Sequence, residues 1–210
     1  MTNFALDHFI LGFDRALRVV SGLAHATRPN PAGAIEEASL SEQEQAHSAG
    51  LMRVNHVGEI CAQALYDAQG AWASTEAIRR QLARSGMEEE DHLAWTADRI
   101  RELNSRTSLL NPLWYGGAYL CGAIAAKCGD ALSLGFVVET EKQVEAHLAS
   151  HLQQLPAHDG KSRALVTQMR DDEIAHGAAA QALGAAELPA AVKFGMKAMA
   201  KIMTGTAYYL

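Results

Sequence analysis

The chain has 210 residues, 49% of them hydrophobic, and a formal net charge of −6. That length suits one domain with a full-sized core, and the acidic balance argues against a nucleic-acid binder, which carries a basic excess. Cys61, Cys121 and Cys128 form no C-x-x-C pair, and their odd number argues against a disulfide framework; they read as small core residues in a reducing compartment.

In chain order, residues 3–24 predict an amphipathic helix, with Leu6, Phe9, Ile10, Phe13, Leu17 and Val20 at three- and four-residue steps. The start lacks the basic stretch, apolar run and small-residue cleavage site of a signal peptide. ATRPNPAGA (26–34) breaks the helix and reads as a linker. The main body is expected from about Ser41. A first long helix covers about 48–72, and a second about 76–104 with Ser74 or Thr75 as its cap. Residues 104–112 read as a loop. The apolar stretch 112–126 is uncharged but shorter than the ~20 residues needed to span a bilayer, so it reads as a buried or membrane-surface helix. After a break at Lys127, Gly129 and Asp130, a third long helix runs to about Leu155. A fourth covers about 160–183, and a last helix about 189–203. No segment alternates with period two, so the expected class is all-α.

The helical stripes carry the chemistry. In the second helix Ile78, Leu82, Ser85, Glu89, His92, Thr96, Ile100 and Leu103 follow steps of three and four. In the fourth, Leu165, Met169, Glu173, His176, Ala180 and Leu183 do the same. Glu-x-x-His therefore lies on the core face twice. A further copy, Glu44 to His47, sits in the polar stretch SEQEQAHSAG and reads as a solvated face. The first helix places Glu59 on the stripe Met52, Asn55, Ala62, Tyr66. The third places Glu141 on the stripe Leu134, Val138, Leu148, Leu152, Leu155, where it fits better than Glu139, with Glu145 a turn away.

Any one of these acids is more often a solvated surface residue, and a lone inward histidine is more often a satisfied core residue. Together they are harder to dismiss. Four carboxylates buried side by side repel and lose hydration, so they take up protons or hold cations. A Glu from each of two helices plus a Glu-x-x-His from each of two others is the known ligand pattern of ferritin-like di-iron carboxylate bundles. The expected fold is thus a ferritin-like four-helix bundle with extra amphipathic and apolar helices. Glu and His donors without thiolate suit iron or manganese better than zinc, and iron is the default for oxygen chemistry.

LMRVNHVGEICAQALYDAQG (51–70), and within it Arg53 to Glu59, resembles the demethoxyubiquinone hydroxylase family of quinone biosynthesis. MEEEDHL (87–93), VVETEKQVEAHL (137–148) and RDDEIAH (170–176) resemble its later blocks in order and spacing. Val57 and Cys61 stand where that family is expected to have Ala and Gly. The resemblance covers about residues 40–210, which implies a hydroxylase domain at 41–210 and an appended helix and linker at 1–40. It implies two irons on Glu59, Glu89, His92, Glu141, Glu173 and His176, with Glu89 and Glu173 bridging. The implied reaction is hydroxylation of the demethoxyubiquinol ring by dioxygen with two external electrons. No nucleotide fingerprint names the donor; NADH acting through the quinone or another protein are both open. Tyr66 and His147 are carried as residues behind the ligands, with core packing the plainer reading of Tyr66.

A polyprenylated quinol implies contact with a membrane surface, and other ubiquinone-biosynthesis proteins as partners. Peripheral attachment at the cytoplasmic face of a bacterial-type cell membrane is the expectation. Trp114, Tyr115 and Tyr119 in the apolar stretch agree with it, as do Lys193, Lys197 and Lys201 on one stripe of the last helix. The competing reading of the same ligands is a ferritin- or rubrerythrin-like ferroxidase or peroxide scavenger. A rubrerythrin would usually add a C-x-x-C iron site, which this sequence lacks. A quinone-binding helical scaffold is the non-enzymatic alternative.

Overall fold

The computed structural model describes residue 12 and residues 14–210. Leu6, Phe9, Ile10 and Phe13 of the expected N-terminal helix lie outside them. Six long helices follow in order: α1 (Glu42–Trp72), α2 (Glu76–Glu102), α3 (Asn111–Lys127), α4 (Asp130–Gln154), α5 (Gly160–Ala182) and α6 (Ala190–Ala207). The backbone is also helical at 14–20, and no strand occurs among the described residues.

Local chemistry sets the boundaries. α1 starts six residues before the expected point because Ser41 caps it. The Ser41 hydroxyl accepts from the Glu44 amide, and the Glu44 carboxylate accepts from the Ser41 amide at 2.9 Å. Glu44 is therefore spent on the cap, and His47 pairs with the Tyr208 hydroxyl at 2.7 Å. Thr75 caps α2 by accepting from the Ile78 amide, and Asp159 caps α5 by accepting from the Ser162 amide. α3 and α4 are separated by one turn at Gly129, whose φ of 99° suits a residue without Cβ.

α1 packs along α2, α4 along α5, and α2 also meets α5, giving a four-helix bundle of the ferritin-like kind. α3 and α6 lie outside it, each against α1 and α4. The stripes read from the sequence face inward: Ile78, Leu82, Ser85, Glu89, His92, Thr96, Ile100 and Leu103 are all buried. Two apolar clusters of the core lie along the four bundle helices. One contains Met52, Trp95, Ile100, Leu148, Leu165 and Met169. The other contains Ala62, Tyr66, Leu82, Leu134, Val137 and Ala180.

Residues 26–40, which include the stretch read as a linker, run as a strap bonded to the bundle. Thr27 donates to Asp91, and Arg28 pairs with Asp91 at 2.6 Å and Asp172 at 2.9 Å. Further on, Glu37 pairs at 2.7 Å with Arg99, which is buried and also held by Asp159 at 2.9 Å. A buried guanidinium needs such partners, and they stitch the strap to α2 and the start of α5. Cys128, expected in the core, is exposed at the end of α3, while Cys61 and Cys121 are half-buried.

α3 buries only Asn111 and Gly122, and α6 only Ala207. Leu113, Leu120, Ile124, Phe194, Met199 and Ile202 are exposed on them. No described helix is long and apolar enough to cross a membrane.

At Gly135 a Cβ would run into the Ala186 carbonyl oxygen of the backbone after α5. Gly135→Ala should therefore destabilise the fold by about 1–3 kcal/mol, measured as a lower midpoint in urea with unchanged slope.

Candidate metal centre

Each of the four bundle helices delivers its acid at the level between the two apolar clusters. Glu59 lies between Met52 and Tyr66 on α1, and Glu89 between Leu82 and Trp95 on α2. Glu141 lies between Leu134 and Leu148 on α4, and Glu173 between Met169 and Ala180 on α5. His92 and His176 follow their glutamates by one turn, so they face the same layer. All six side chains are buried.

They form two overlapping groups. Donor atoms of Glu59, Glu89, His92 and Glu173 lie within 4.8 Å of one another, as do those of Glu89, Glu141, Glu173 and His176. Glu89 and Glu173 belong to both, the arrangement that bridging carboxylates require. His92 Nδ1 stands 3.4 Å from Glu59, 3.3 Å from Glu89 and 3.6 Å from Glu173. His176 Nδ1 stands 3.3 Å from Glu89 and 3.2 Å from Glu173.

The layer fits a pair of cations on its own evidence. Both oxygens of Glu89, Oε2 of Glu141 and Oε1 of Glu173 are buried without a hydrogen-bond partner among the described residues, and such atoms normally have one. Burial and like charge favour protons on such a layer when no cation is bound. Burial and the neighbouring Glu89 push Glu59 well up, and burial and Glu173 do the same to Glu141. Burial and Glu89 raise Glu173 to about 7. Burial opposes the charge on Glu89, but the nearby Glu59, His176 and His92 outweigh it and hold Glu89 below the ordinary carboxylate range. Burial likewise opposes charge on His176, yet Glu173 and Glu89 hold it up to about 12. Divalent ions would take the place of these protons.

The outer nitrogens of the two histidines are fixed reciprocally. His92 Nε2–H donates to Asp172 at 2.8 Å, and His176 Nε2–H donates to Glu88 at 2.8 Å. Asp172 directly precedes Glu173, and Glu88 directly precedes Glu89. Each helix thus orients the other's imidazole and leaves Nδ1 facing the carboxylates. On one side Asp172 and Asp91 share Arg28, whose guanidinium also lies 5.0 Å from the Trp95 ring centre.

An apolar cavity of about 820 Å³ lies between α1, α3, α4 and α6, and Glu59 is part of its wall. Cys61, Trp114, Cys121, Phe136 and Met203 are among its walls, with Lys197 and Lys201 on α6.

Of the residues expected behind the ligands, Tyr66 is buried and its hydroxyl donates to Glu141. His147 stands on the cavity wall, its ring 4.0 Å from that of His151. Glu139, the alternative to Glu141, accepts instead from Gln143. Asp172, Glu88, Asp91 and Arg28 escaped sequence reasoning. The doublets Glu88-Glu89 and Asp172-Glu173, each followed three residues later by histidine, were a signal for the first two; the strap contacts had none.

The sequence matches the family described as "Ubiquinone biosynthesis protein COQ7" over residues 46–207. Relatives named 3-demethoxyubiquinol 3-hydroxylase include one from Herbaspirillum seropedicae, 63% identical over 97% of this chain and 98% of the relative. Others come from Herminiimonas arsenicoxydans, 62% identical over 97% of each chain, and Ralstonia pickettii, 55% identical over 97% and 99%. These matches take in most of the N-terminal 40 residues, for which the sequence alone suggested no relative.

The raised His176 has a definite pH consequence. Its stabilising proton contributes fully below the ordinary 6.5, and the contribution is lost as pH rises towards about 12. His56 and His151, pushed by burial to about 4 and about 3, are neutral at such pH and do not offset this. The melting temperature of the metal-free protein should fall from about pH 7 to about pH 8.5. The gain on adding Fe(II) or Mn(II) should grow over that range, as metal binding releases protons. Arg28→Leu, which strips the cation from buried Asp91, should cost roughly 3 kcal/mol in denaturant unfolding.

Proposed function

The chain belongs to the family of the ubiquinone biosynthesis protein COQ7, and we propose that it hydroxylates the ring of a demethoxyubiquinol in ubiquinone biosynthesis with two iron ions. Glu59, Glu89, His92, Glu141, Glu173 and His176 would hold the pair, with Glu89 and Glu173 shared between the ions. When bound, the irons supply the redox chemistry that activates dioxygen, with two electrons from outside and NADH as the expected donor.

The observation that carries this reading is the apolar cavity whose wall includes Glu59. A ferroxidase or peroxide scavenger handles small polar substrates and has no use for such a space. A quinol ring entering along the cavity meets the carboxylate layer with its prenyl tail still in apolar surroundings. The chain's own contribution is positioning and exclusion of water. The two apolar clusters seal the layer above and below, the reciprocal carboxylates hold both imidazoles, and Tyr66 holds Glu141. Residues 41–210 would form the catalytic unit, with 1–40 contributing the strap.

The exposed apolar side chains of α3 and α6 support peripheral attachment to a membrane at the cavity mouth. Lys197 and Lys201 beside them suit anionic headgroups. The cytoplasmic face of a bacterial-type membrane is the proposed location.

Cells lacking the gene should accumulate the demethoxy intermediate, and wild type should restore ubiquinone. Glu173→Ala should leave the fold intact but lower hydroxylation by roughly 100-fold or more. Normal ubiquinone in the deletion strain, with no second hydroxylase present, would overturn the assignment. The protein should sediment with vesicles containing phosphatidylglycerol, and Phe194→Ser with Ile202→Ser should release it; recovery wholly in the supernatant would refute attachment.

A further inference from the structure

The two imidazoles of the layer are held alike but not equally. Each donates its Nε2–H to a carboxylate at 2.8 Å. Glu88, behind His176, has no cationic side chain against it among the described residues, and its side chain is 31% exposed, so water serves the rest of it. Asp172, behind His92, is loaded more heavily. The oxygen that accepts from His92 also meets Arg28 Nη2 at 2.9 Å, and the other accepts from Gln168 at 3.0 Å. The same guanidinium nitrogen stands 3.4 Å from His92 Nε2 itself. Asp91 and the Trp95 ring fix the guanidinium there. Asp91 in turn spends its second oxygen on the Thr27 hydroxyl and on the amides of Thr27 and Arg28.

The strength of an imidazole as a metal ligand follows the acceptor on its far nitrogen. A carboxylate without a counter-ion draws the N–H proton and pushes electron density onto Nδ1. One already paired with a guanidinium draws it less. A cation 3.4 Å from the ring also opposes the positive charge that a bound metal ion places on it. The two groups of ligands are otherwise matched, each with one imidazole, one glutamate of its own, and the shared Glu89 and Glu173. The difference between them therefore falls on Arg28. It also falls on the side of the substrate space, because Glu59 is the one ligand of the six on the cavity wall.

We propose that Arg28 makes the subsite of His92 and Glu59, the one beside the cavity, the looser and more electron-poor of the two. This rests on the two-ion reading above. Arg28 meets neither the layer's carboxylates nor the cavity, so it is a positioning residue that acts through Asp172 and His92. A first divalent ion settles with His176 and Glu141, and the ion that faces the quinol ring is the last to enter and the first to leave.

In the test, the metal-free full chain is titrated with Mn(II), and the free ion is read by electron paramagnetic resonance. Neighbouring ions repel, so wild type should bind in two unequal steps whatever their cause, and the variants carry the test. Arg28→Gln keeps hydrogen-bond donors and removes the charge. It should tighten the weaker step about tenfold and leave the stronger one unchanged. Arg28→Lys, which keeps the charge, should hold the weaker step near the wild-type value. Glu88→Gln, which keeps an acceptor for His176 without its charge, should loosen the stronger step about tenfold. A role in fixing geometry alone gives the opposite sign for Arg28→Gln, a loosened site. Such loosening, or an unchanged weaker step, would overturn the proposal. So would a gain on the stronger step, which puts Arg28 behind the tighter ion. If Arg28→Gln does not fold, Glu88→Gln at the surface decides, and a stronger step left at its wild-type value overturns the proposal. Wild type that takes up fewer than two Mn(II) per chain sinks the two-ion reading and this inference together; two ions bound, with the variants at wild-type values, sink the inference alone.

Discussion

Four carboxylates are held in one buried layer with two imidazoles, and the rest of the molecule follows from having to keep them there. Such a layer is costly by itself, because each charge loses its hydration and faces others of its own sign. The apolar clusters on either side deny it water, so it must be neutralised by protons or by cations. Burial and like charge push Glu59, Glu141 and Glu173 up, the direction in which protons meet the need. A pair of divalent ions meets it with fixed geometry and with oxidation states to spare for chemistry.

Holding that layer in register takes more than the four helices. The acids one residue before Glu89 and Glu173 reach across to the opposite histidines, so the α2–α5 contact is ordered by the same residues that order the ligands. The strap extends this outward. Arg28 neutralises Asp91 and Asp172 together, and Glu37 meets Arg99, which in turn holds the cap residue of α5. Geometry at His92 therefore depends on a segment more than sixty residues away in sequence.

Much of this was legible in the chain itself, for a reason that can be stated. A helical stripe is a local pattern, so Glu89 and His92 announce their burial through Leu82, Ser85 and Thr96 on the same face. The spacing of Glu59, Glu89, Glu141 and Glu173 then suffices to place them at one level. Contacts between residues remote in sequence leave no periodicity. Thr27 and Arg28 sit among prolines and a glycine that signal only a break, and Asp91 looks like any other acid in MEEEDHL. The start of α1 was missed because the capping box of Ser41 and Glu44 lies in a stretch whose polarity resembles a loop. Cys128 was misplaced because a small apolar residue at a helix end carries no mark of which way it faces.

The joint between α3 and α4 is two residues long, Cys128 and Gly129, and its far side is anchored. The Ser74 amide donates to Asp130 at 3.1 Å, and the Ala186 amide donates to the Ala131 carbonyl at 2.8 Å. The helix that carries Glu141 therefore begins at a point tied both to the turn before α2 and to the backbone after α5. Glu141, three turns further along, inherits its height in the bundle from two bonds that lie outside the ligand layer.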